Sequence, residues 1–97
     1  MELWFYGKMV ITNMKFRKKF PVEAFCFGKD ERPDWFNKAI KDEIISIYSL
    51  DKDYCKIKTL EGTMTCTEGD YIVQGIDGEL SPCKGSIFER TYEEIIE

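Results

Sequence analysis

The sequence predicts a single α+β domain. We expect a mainly antiparallel β-meander, curled into a roll or a partly open barrel and packed with one amphipathic helix. Three observations favour this fold class: residues 21–27 divide between two faces with a period of two, apolar residues recur at helical spacing from Trp35 to Ile40, and turn dipeptides divide a β-rich remainder. A chain of 97 residues supports one hydrophobic core, so residues 1–97 are expected to form one domain.

The first predicted elements of this domain are a strand and a helix. Residues 21–27 alternate between two faces, which is the period of a β-strand. Helical spacing predicts an amphipathic helix over residues 32–43, with Pro33 near its start. Trp35 allows two interpretations, an exposed aromatic anchor or a core residue, and the spacing of its apolar neighbours favours the core.

After the helix the chain is β-rich, and its short turns predict about five strands in which sequential strands are neighbours. The dipeptides at 61–62 (Glu-Gly) and 77–78 (Asp-Gly) are typical of hairpin loops. Pro82 is expected at the end of a ladder or on an edge strand, because proline donates no backbone hydrogen bond. Ser86 is expected to cap a short helical turn. Residues 91–96 allow two interpretations, continuation of that helix or return as a strand, and we favour the strand.

The first hairpin loop predicts a register for its strands. A loop at 61–62 places Ile57 opposite Cys66 and Thr59 opposite Met64. In that register one face is apolar and the lysines of the first strand are exposed. The apolar face consists of Cys55, Ile57, Met64 and Cys66, and the lysines are Lys56 and Lys58. The second hairpin is expected to bring Val73 and Leu80 together on one face.

The residues that carry most enzymatic chemistry are missing. The chain contains no histidine, which removes the commonest general base and every histidine-dependent nucleophile or metal site. It also lacks the glycine-rich motifs that bind phosphate. Four acidic residues at predicted hairpin ends are interpreted as solvated turn residues: Glu68, Asp70, Asp77 and Glu79. We therefore expect no enzymatic activity and no cofactor.

The four cysteines are scattered through the chain, at Cys26, Cys55, Cys66 and Cys83. Structural zinc sites place cysteines in close pairs, and this sequence has none. No signal peptide precedes them, so we expect free thiols without metal, as in a reducing cytoplasm. No apolar run is long enough to predict a membrane span.

The net charge and the distribution of basic residues also bear on function. The net charge of −4 disfavours general binding to nucleic acid, because such binding depends on neutralising phosphates. Four basic residues nevertheless lie together and, with two nearby aromatic residues, make a candidate binding strip. The strip consists of Lys15, Arg17, Lys18, Lys19, Phe25 and Phe27. The alternative is a solvated strand edge protected by lysines, which we favour.

Residues 1–13 form an apolar N-terminal extension that contains Leu3, Trp4, Phe5, Tyr6, Val10 and Ile11. Burial of one large apolar side chain contributes roughly 1.5–3 kcal/mol, so a solvated extension would be strongly adhesive. We expect residues 3–11 to pair as strands, either within the chain or across a homodimer.

Two stretches of the sequence resemble a family of short tailed-phage and prophage accessory proteins. One is KFRKK followed by PVEA, from Lys15 to Ala24, and the other is GDYIVQGIDGELSPCKGSIFERTYE, from Gly69 to Glu93. The family-like core is residues 14–97. The chain departs from the family pattern in its extension before Met14 and in a shortened apolar stretch at 20–22. The resemblance implies the cytoplasm of a bacterial host as the setting and implies no activity.

These features predict a non-enzymatic accessory protein that binds a host protein, for example as an inhibitor of a host defence system. Charge complementarity guides small acidic proteins to basic surfaces. The alternative is a module that binds or sequesters a small ligand such as a nucleotide, with the candidate strip, Tyr54 and Tyr71 supplying charge and stacking. Weak binding of single-stranded nucleic acid through the same strip is a third interpretation.

Overall fold

Two three-stranded sheets and two helices form the body of the fold within the described residues, which are 4–6, 9–11, 14–17 and 19–96 of this computed structural model. The elements in chain order are β1 (Trp4–Tyr6), β2 (Met9–Ile11), β3 (Glu23–Cys26), α1 (Asp34–Lys41), β4 (Ile45–Ser49), β5 (Asp53–Thr59), β6 (Gly62–Thr67), β7 (Tyr71–Gln74), β8 (Leu80–Cys83) and α2 (Gly85–Thr91). The predicted α+β class is confirmed.

The six strands from β3 onward form two sheets rather than one continuous meander. Strands β4, β5 and β6 make the meander sheet, and β3, β7 and β8 make the composite sheet, both antiparallel and in those orders. Sequential strands are therefore not always neighbours, because β7 pairs with β3 instead of β6, with Ala24 opposite Val73. Pro82 lies on the edge strand β8, as expected.

The β5–β6 hairpin turns one residue earlier than the sequence predicts. Its loop residues are Leu60 and Glu61, and Thr59 lies opposite Gly62. Gly62 has a φ of +110°, a backbone conformation that favours glycine. The glycine is thus required directly after the turn and not within it.

The resulting register differs from the predicted one by two residues. Cys55 lies opposite Cys66 and Ile57 opposite Met64, so the expected pairs Ile57–Cys66 and Thr59–Met64 were wrong. A shift of two residues leaves every side chain on its own face. The predicted faces are accordingly confirmed by three buried residues, Cys55, Ile57 and Cys66, and by two exposed lysines, Lys56 and Lys58.

The β7–β8 hairpin has a three-residue loop where the sequence predicts a two-residue loop. The amide of Gly75 donates a hydrogen bond to the carbonyl oxygen of Glu79 (2.8 Å) and closes the loop. The extra residue changes the register, so Leu80 lies opposite Gln74. Leu80 and Val73 are consequently on opposite faces of the sheet, and the prediction that they share a face was wrong.

Helix α1 packs against both sheets and completes the core. Phe36 and Ala39 are buried, and Trp35 and Ile40 pack against the core at its edge. The ring of Phe25 in β3 meets that of Phe36 edge-on, with centroids 4.9 Å apart. The core interpretation of Trp35 is therefore confirmed. Every strand of both sheets adds to this core, and so does Phe27 directly after β3. The strand residues are Phe25, Ile45, Cys55, Ile57, Cys66, Ile72 and Leu80.

The C-terminal segment is a helix followed by an irregular tail. Helix α2 has Lys84 at its N-cap and begins at Gly85, so the predicted cap at Ser86 was wrong. Close packing favours glycine as the first residue of this helix, because a Cβ at Gly85 would collide with the carbonyl oxygen of Gly69. Residues 92–96 have no regular structure, and the expected strand over 91–96 was also wrong.

Strands β1 and β2 form a separate two-stranded hairpin. They pair with each other in antiparallel orientation, with Phe5 opposite Val10. The predicted pairing within the chain is confirmed for these two strands, while residues 3, 7 and 8 lie outside the described residues. Among the described residues, no helix is long and apolar enough to cross a membrane.

A corner at residues 68–70 carries the chain from the meander sheet to the composite sheet. The carboxylate of Asp70 accepts hydrogen bonds from the amide and the hydroxyl of Thr67, at 3.3 and 3.0 Å, and from the amide of Gly85 at 3.4 Å. Its carbonyl oxygen accepts a bond from the amide of Phe27 at 2.8 Å. Asp70 is half-buried, so its interpretation as a solvated turn residue was wrong.

The four cysteine thiols differ in their burial. All four cysteines are free; Cys26, Cys55 and Cys66 are buried and Cys83 is half-buried. The hydrogen bond with Cys55, and then burial, raise the pKa of the Cys66 thiol. The stability linked to this protonated thiol is present below the ordinary thiol pKa of about 8.5 and is lost as the pH rises above it.

The Asp70 carboxylate is predicted to stabilise the corner. Replacing it, as in Asp70→Ala, removes a charged acceptor from three donors and should lower the free energy of unfolding by about 1–3 kcal/mol. Asp70→Asn keeps one acceptor oxygen, so its free energy of unfolding should lie between those of the native chain and Asp70→Ala. Urea unfolding measures this, with Asp51→Ala at an exposed loop position as the control. Equal effects of the Asp70 and Asp51 substitutions would contradict the assignment.

Thiol reactivity is predicted to follow burial. In the folded chain at pH 8, a disulfide reagent such as Ellman's should react quickly with Cys83 alone, and the Cys83→Ser variant should show no fast thiol. Reaction of the remaining three thiols should require unfolding, because all three are buried and the reagent cannot reach them in the folded chain. Fast reaction of more than one thiol in native buffer would show that the core is open.

Candidate binding sites

The structure divides the predicted binding strip between surface and core. The described basic residues of the strip are exposed, namely Lys15, Arg17 and Lys19, and Lys18 lies outside the described residues. Phe25 and Phe27 are 5% and 1% exposed and belong to the core cluster. Neither ring is accessible to a ligand in the folded chain. The six residues therefore do not form one surface.

The tyrosines of the nucleotide hypothesis have separate positions. Tyr54 stacks on Tyr48 in the meander sheet, with ring centroids 5.2 Å apart. Tyr71 instead lines a cleft that Lys19 also borders. Within the described part of the strip, Lys19 is the one basic residue that lies at the same cleft as one of the two tyrosines, Tyr71.

One concave surface, which we call the α1 groove, lies between α1, the β5–β6 hairpin and the β7–β8 hairpin. Its volume is about 680 Å³. Its apolar lining consists of Trp35, Ala39, Ile44, Leu60, Met64 and Leu80. Leu60 occupies the hairpin loop and its side chain is fully exposed. The groove therefore presents apolar surface to solvent at a position where turns are ordinarily polar.

The edge of the α1 groove carries charges of both signs. Lys38 and Asp42 form an ion pair one helical turn apart, with Nζ and Oδ2 separated by 2.7 Å. Lys58, Glu61 and Glu79 complete the charged lining. Because the two signs are nearly balanced, apolar contact rather than net charge dominates what this groove can bind.

A second concave surface, the C-terminal cleft, has a volume of about 1210 Å³. It is bordered by residues 19–24 and 91–95, and by Asp30, Tyr71 and Phe88. Three rings form a column along it: the Tyr71 and Phe88 centroids are 4.0 Å apart, and those of Phe88 and Tyr92 are 4.5 Å apart. This column joins α2 to the composite sheet.

The C-terminal cleft is acidic. Among the described residues, four carboxylates line it, from Glu23, Asp30, Glu93 and Glu94, against the single ammonium of Lys19. Partial burial, and then the charges of Cys26 and Glu89, raise the pKa of Tyr71, and Asp30 and Glu94 act in the same direction. The phenol of Tyr71 is thus kept neutral, and the cleft favours cationic over anionic groups.

Comparison of this chain with protein-family models, with curated proteins and with solved structures gave no match. The resemblance to phage and prophage accessory proteins accordingly stays a prediction from the motifs quoted above.

Sequence reasoning identified neither concave surface, although each leaves a signal in the sequence. A leucine in a hairpin loop is unusual, and correct placement of the β5–β6 turn would have shown Leu60 to be exposed. Phe88 and Tyr92 are four residues apart, which is the spacing of side chains that meet on a helix. The contribution of Tyr71 is not visible in the sequence, because it depends on how α2 packs.

Proposed function

We propose that this chain is a non-enzymatic accessory protein of the phage or prophage type that binds a host protein, and that the α1 groove holds a segment of that partner. The observation that carries the proposal is the solvent-exposed apolar lining of the groove, with Leu60 fully exposed at its edge. The phage context comes from the motif resemblance alone. Inhibition of a host defence system is one role that such binding would serve.

The dimensions of the α1 groove suit a short polypeptide segment with one or two large apolar side chains. A volume of about 680 Å³ falls in the range of roughly 300–1,000 Å³ typical of binding sites. The indole of Trp35 is held by a hydrogen bond from Nε1 to Oε1 of Glu23 (3.2 Å), so this wall is preorganised. An apolar side chain of the partner placed against Trp35, Met64 and Leu80 would be buried from solvent without distorting the groove.

The charged edge of the groove supplies selectivity rather than attraction. A partner segment that places an acidic group near Lys58 and a basic group near Glu61 is attracted by both residues. A segment with charges of a single sign is repelled by one of them. Binding through this groove is therefore expected to change little with salt concentration.

The geometry of the described residues does not favour the nucleotide-binding alternative. Phe25 and Phe27 are buried, Lys38 of the α1 groove is paired with Asp42, and carboxylates outnumber ammonium groups in the C-terminal cleft. A phosphate group would lose its hydration at these surfaces without gaining enough donors in return.

Leu60 is predicted to be essential for partner binding. Loss of a buried leucine contact of roughly 1.5–3 kcal/mol corresponds to about 10- to 100-fold weaker binding, so Leu60→Asp should release a partner that the native chain retains. Leu50→Asp is the matched control, because Leu50 is also highly exposed (79%) but lies in the β4–β5 loop, outside the groove.

The measurement uses the full chain with a photo-crosslinking amino acid at position 60 or position 50, expressed in a bacterial host. A discrete adduct with a host protein should form from position 60 and not from position 50. The host protein found in this adduct should then bind the Leu50→Asp variant and not the Leu60→Asp variant. The two variants should have the same melting temperature, so that a loss of binding does not reflect unfolding. Equal adducts from both positions, or undiminished binding by Leu60→Asp, would refute the role of the groove.

A further inference from the structure

The two three-stranded sheets have four edge strands, and the hydrogen bonds of the backbone show which residues of each edge face outward. In an antiparallel ladder, alternate residues direct both their N–H and C=O groups to the neighbouring strand, and the residues between them direct both groups away. The Lys58 amide donates to the carbonyl oxygen of Ile44 (3.0 Å), and Ile45 lies opposite Ile57. The outward residues of β4 are therefore Ile45, Ile47 and Ser49.

The chain itself protects outward positions on the other three edges. On β3, the Cys26 amide donates to Oδ2 of Asp30 (2.9 Å), and the Cys26 carbonyl oxygen accepts from the Asp30 amide (2.9 Å). On β8, the outward position 82 is a proline, which has no N–H group. On β6, Thr67 donates its amide to Oδ2 of Asp70 (3.3 Å), and its carbonyl oxygen accepts from the Asp70 amide (3.0 Å).

The β4 edge is open by comparison. Among the described residues, no hydrogen bond joins a backbone group of residues 45–49 to a residue outside β5. Between Glu43 and Asp51 the sequence is IISIYSL, which contains no charge, no proline and no glycine. Edge strands are ordinarily protected against further pairing by lysine, proline or a bulge. An open edge without these features is suited to the addition of another strand.

We propose that β4 pairs with β4 of a second copy of this chain, which joins two meander sheets into one continuous antiparallel sheet. A two-fold axis through Ile47 places this residue opposite itself and Ile45 opposite Ser49 of the second copy. In this register the outward residues of one copy meet the outward residues of the other. Each such pair exchanges two backbone hydrogen bonds, so the open groups of both edges are satisfied.

The side chains of β4 are complementary to those of a second copy. Each small residue faces a large one, with Ser49 opposite Ile45 and Ser46 opposite Tyr48. No like charges face each other, because residues 45–49 carry no charge. On the core face Ile47 is half-buried, and Ile47 of the second copy covers its exposed part. An extended segment of another protein would meet the same backbone groups, but β4 carries no charge that would select its sequence.

The β4 interface is separate from both concave surfaces, because residues 45–49 line neither of them. It goes beyond the proposed function and does not depend on it, so Leu60→Asp should dimerise like the native chain. The ladder is short, and we therefore expect a weak dimer with a Kd on the order of 10–100 µM. Position 50 directly follows this edge, so a crosslink from it joins two copies and differs in mass from an adduct with a host protein.

The test measures the mass of the full chain by sedimentation velocity over concentrations that span this Kd. The native chain should change from monomer to dimer. Ile47→Lys and Ile47→Glu each place two like charges at the two-fold axis, so each variant alone should dimerise at least about tenfold more weakly. An equal mixture of the two variants should recover the dimer, because opposite charges then face each other. This recovery separates a loss of pairing from a loss of folding.

Matched backbone variants identify the edge that pairs. Ser49→Pro removes an outward N–H group of β4 without removing a hydrogen bond to β5, and should weaken the dimer about tenfold. Thr65→Pro makes the same change at an outward, exposed position of β6, the opposite edge of the same sheet, and should leave the Kd unchanged. In a sample of mixed isotope labelling, an intermolecular NOE between the Hα atoms of Ser46 and Tyr48 should report the register.

Three results would overturn the inference. One is a native chain that stays monomeric at every concentration, which would leave the edge to a segment of another protein. Another is a mixture of Ile47→Lys and Ile47→Glu chains that stays monomeric although circular dichroism shows both variants to be folded. The third is equal weakening of the dimer by Ser49→Pro and Thr65→Pro, which would place the interface elsewhere.

Discussion

Two backbone hydrogen bonds to Phe27 fix the corner on which the rest of the structure depends. The Phe27 amide donates to the carbonyl oxygen of Asp70 (2.8 Å), and the Gly69 amide donates to that of Phe27 (2.9 Å). The Oε2 atom of Glu68 accepts a further hydrogen bond from the amide of Asp53 in β5 (2.9 Å). Both concave surfaces need this corner, because the α1 groove has walls from both sheets and the C-terminal cleft combines Tyr71 with α2.

Local patterns in the sequence predicted faces better than register. Alternation with a period of two fixes which side chains lie together, and Cys55, Ile57 and Cys66 are buried accordingly. Register depends instead on the position and length of the loop, and Glu61-Gly62 and Leu60-Glu61 are both two-residue loops. A displacement of one residue in the loop moves the pairing by two, which the face pattern cannot detect. The pairing of β3 with β7 is non-local and leaves no comparable signal.

The binding surfaces were harder to predict because they arise between elements. Alternation placed Phe25 and Phe27 on one face of a strand, but it did not show that α1 covers this face, where the Phe25 and Phe36 centroids are 4.9 Å apart. The exposed position of Leu60 followed from the turn, and the Tyr71–Phe88 stack followed from the docking of α2. The sequence did indicate correctly that Lys15, Arg17 and Lys19 are exposed, but the favoured interpretation of a strand edge was wrong, because residues 14–17 and 19–20 are not in a strand.

Native-state hydrogen exchange of the Phe27 and Gly69 amides, followed by NMR, tests most directly whether the corner holds the two sheets together. If it does, both amides exchange only through global unfolding, with the same free energy of opening and the same denaturant dependence as the Ile57 amide in the central strand of the meander sheet. Fast exchange of Phe27 and Gly69 with little denaturant dependence, while Ile57 stays protected, would show that the corner opens locally and would contradict the account.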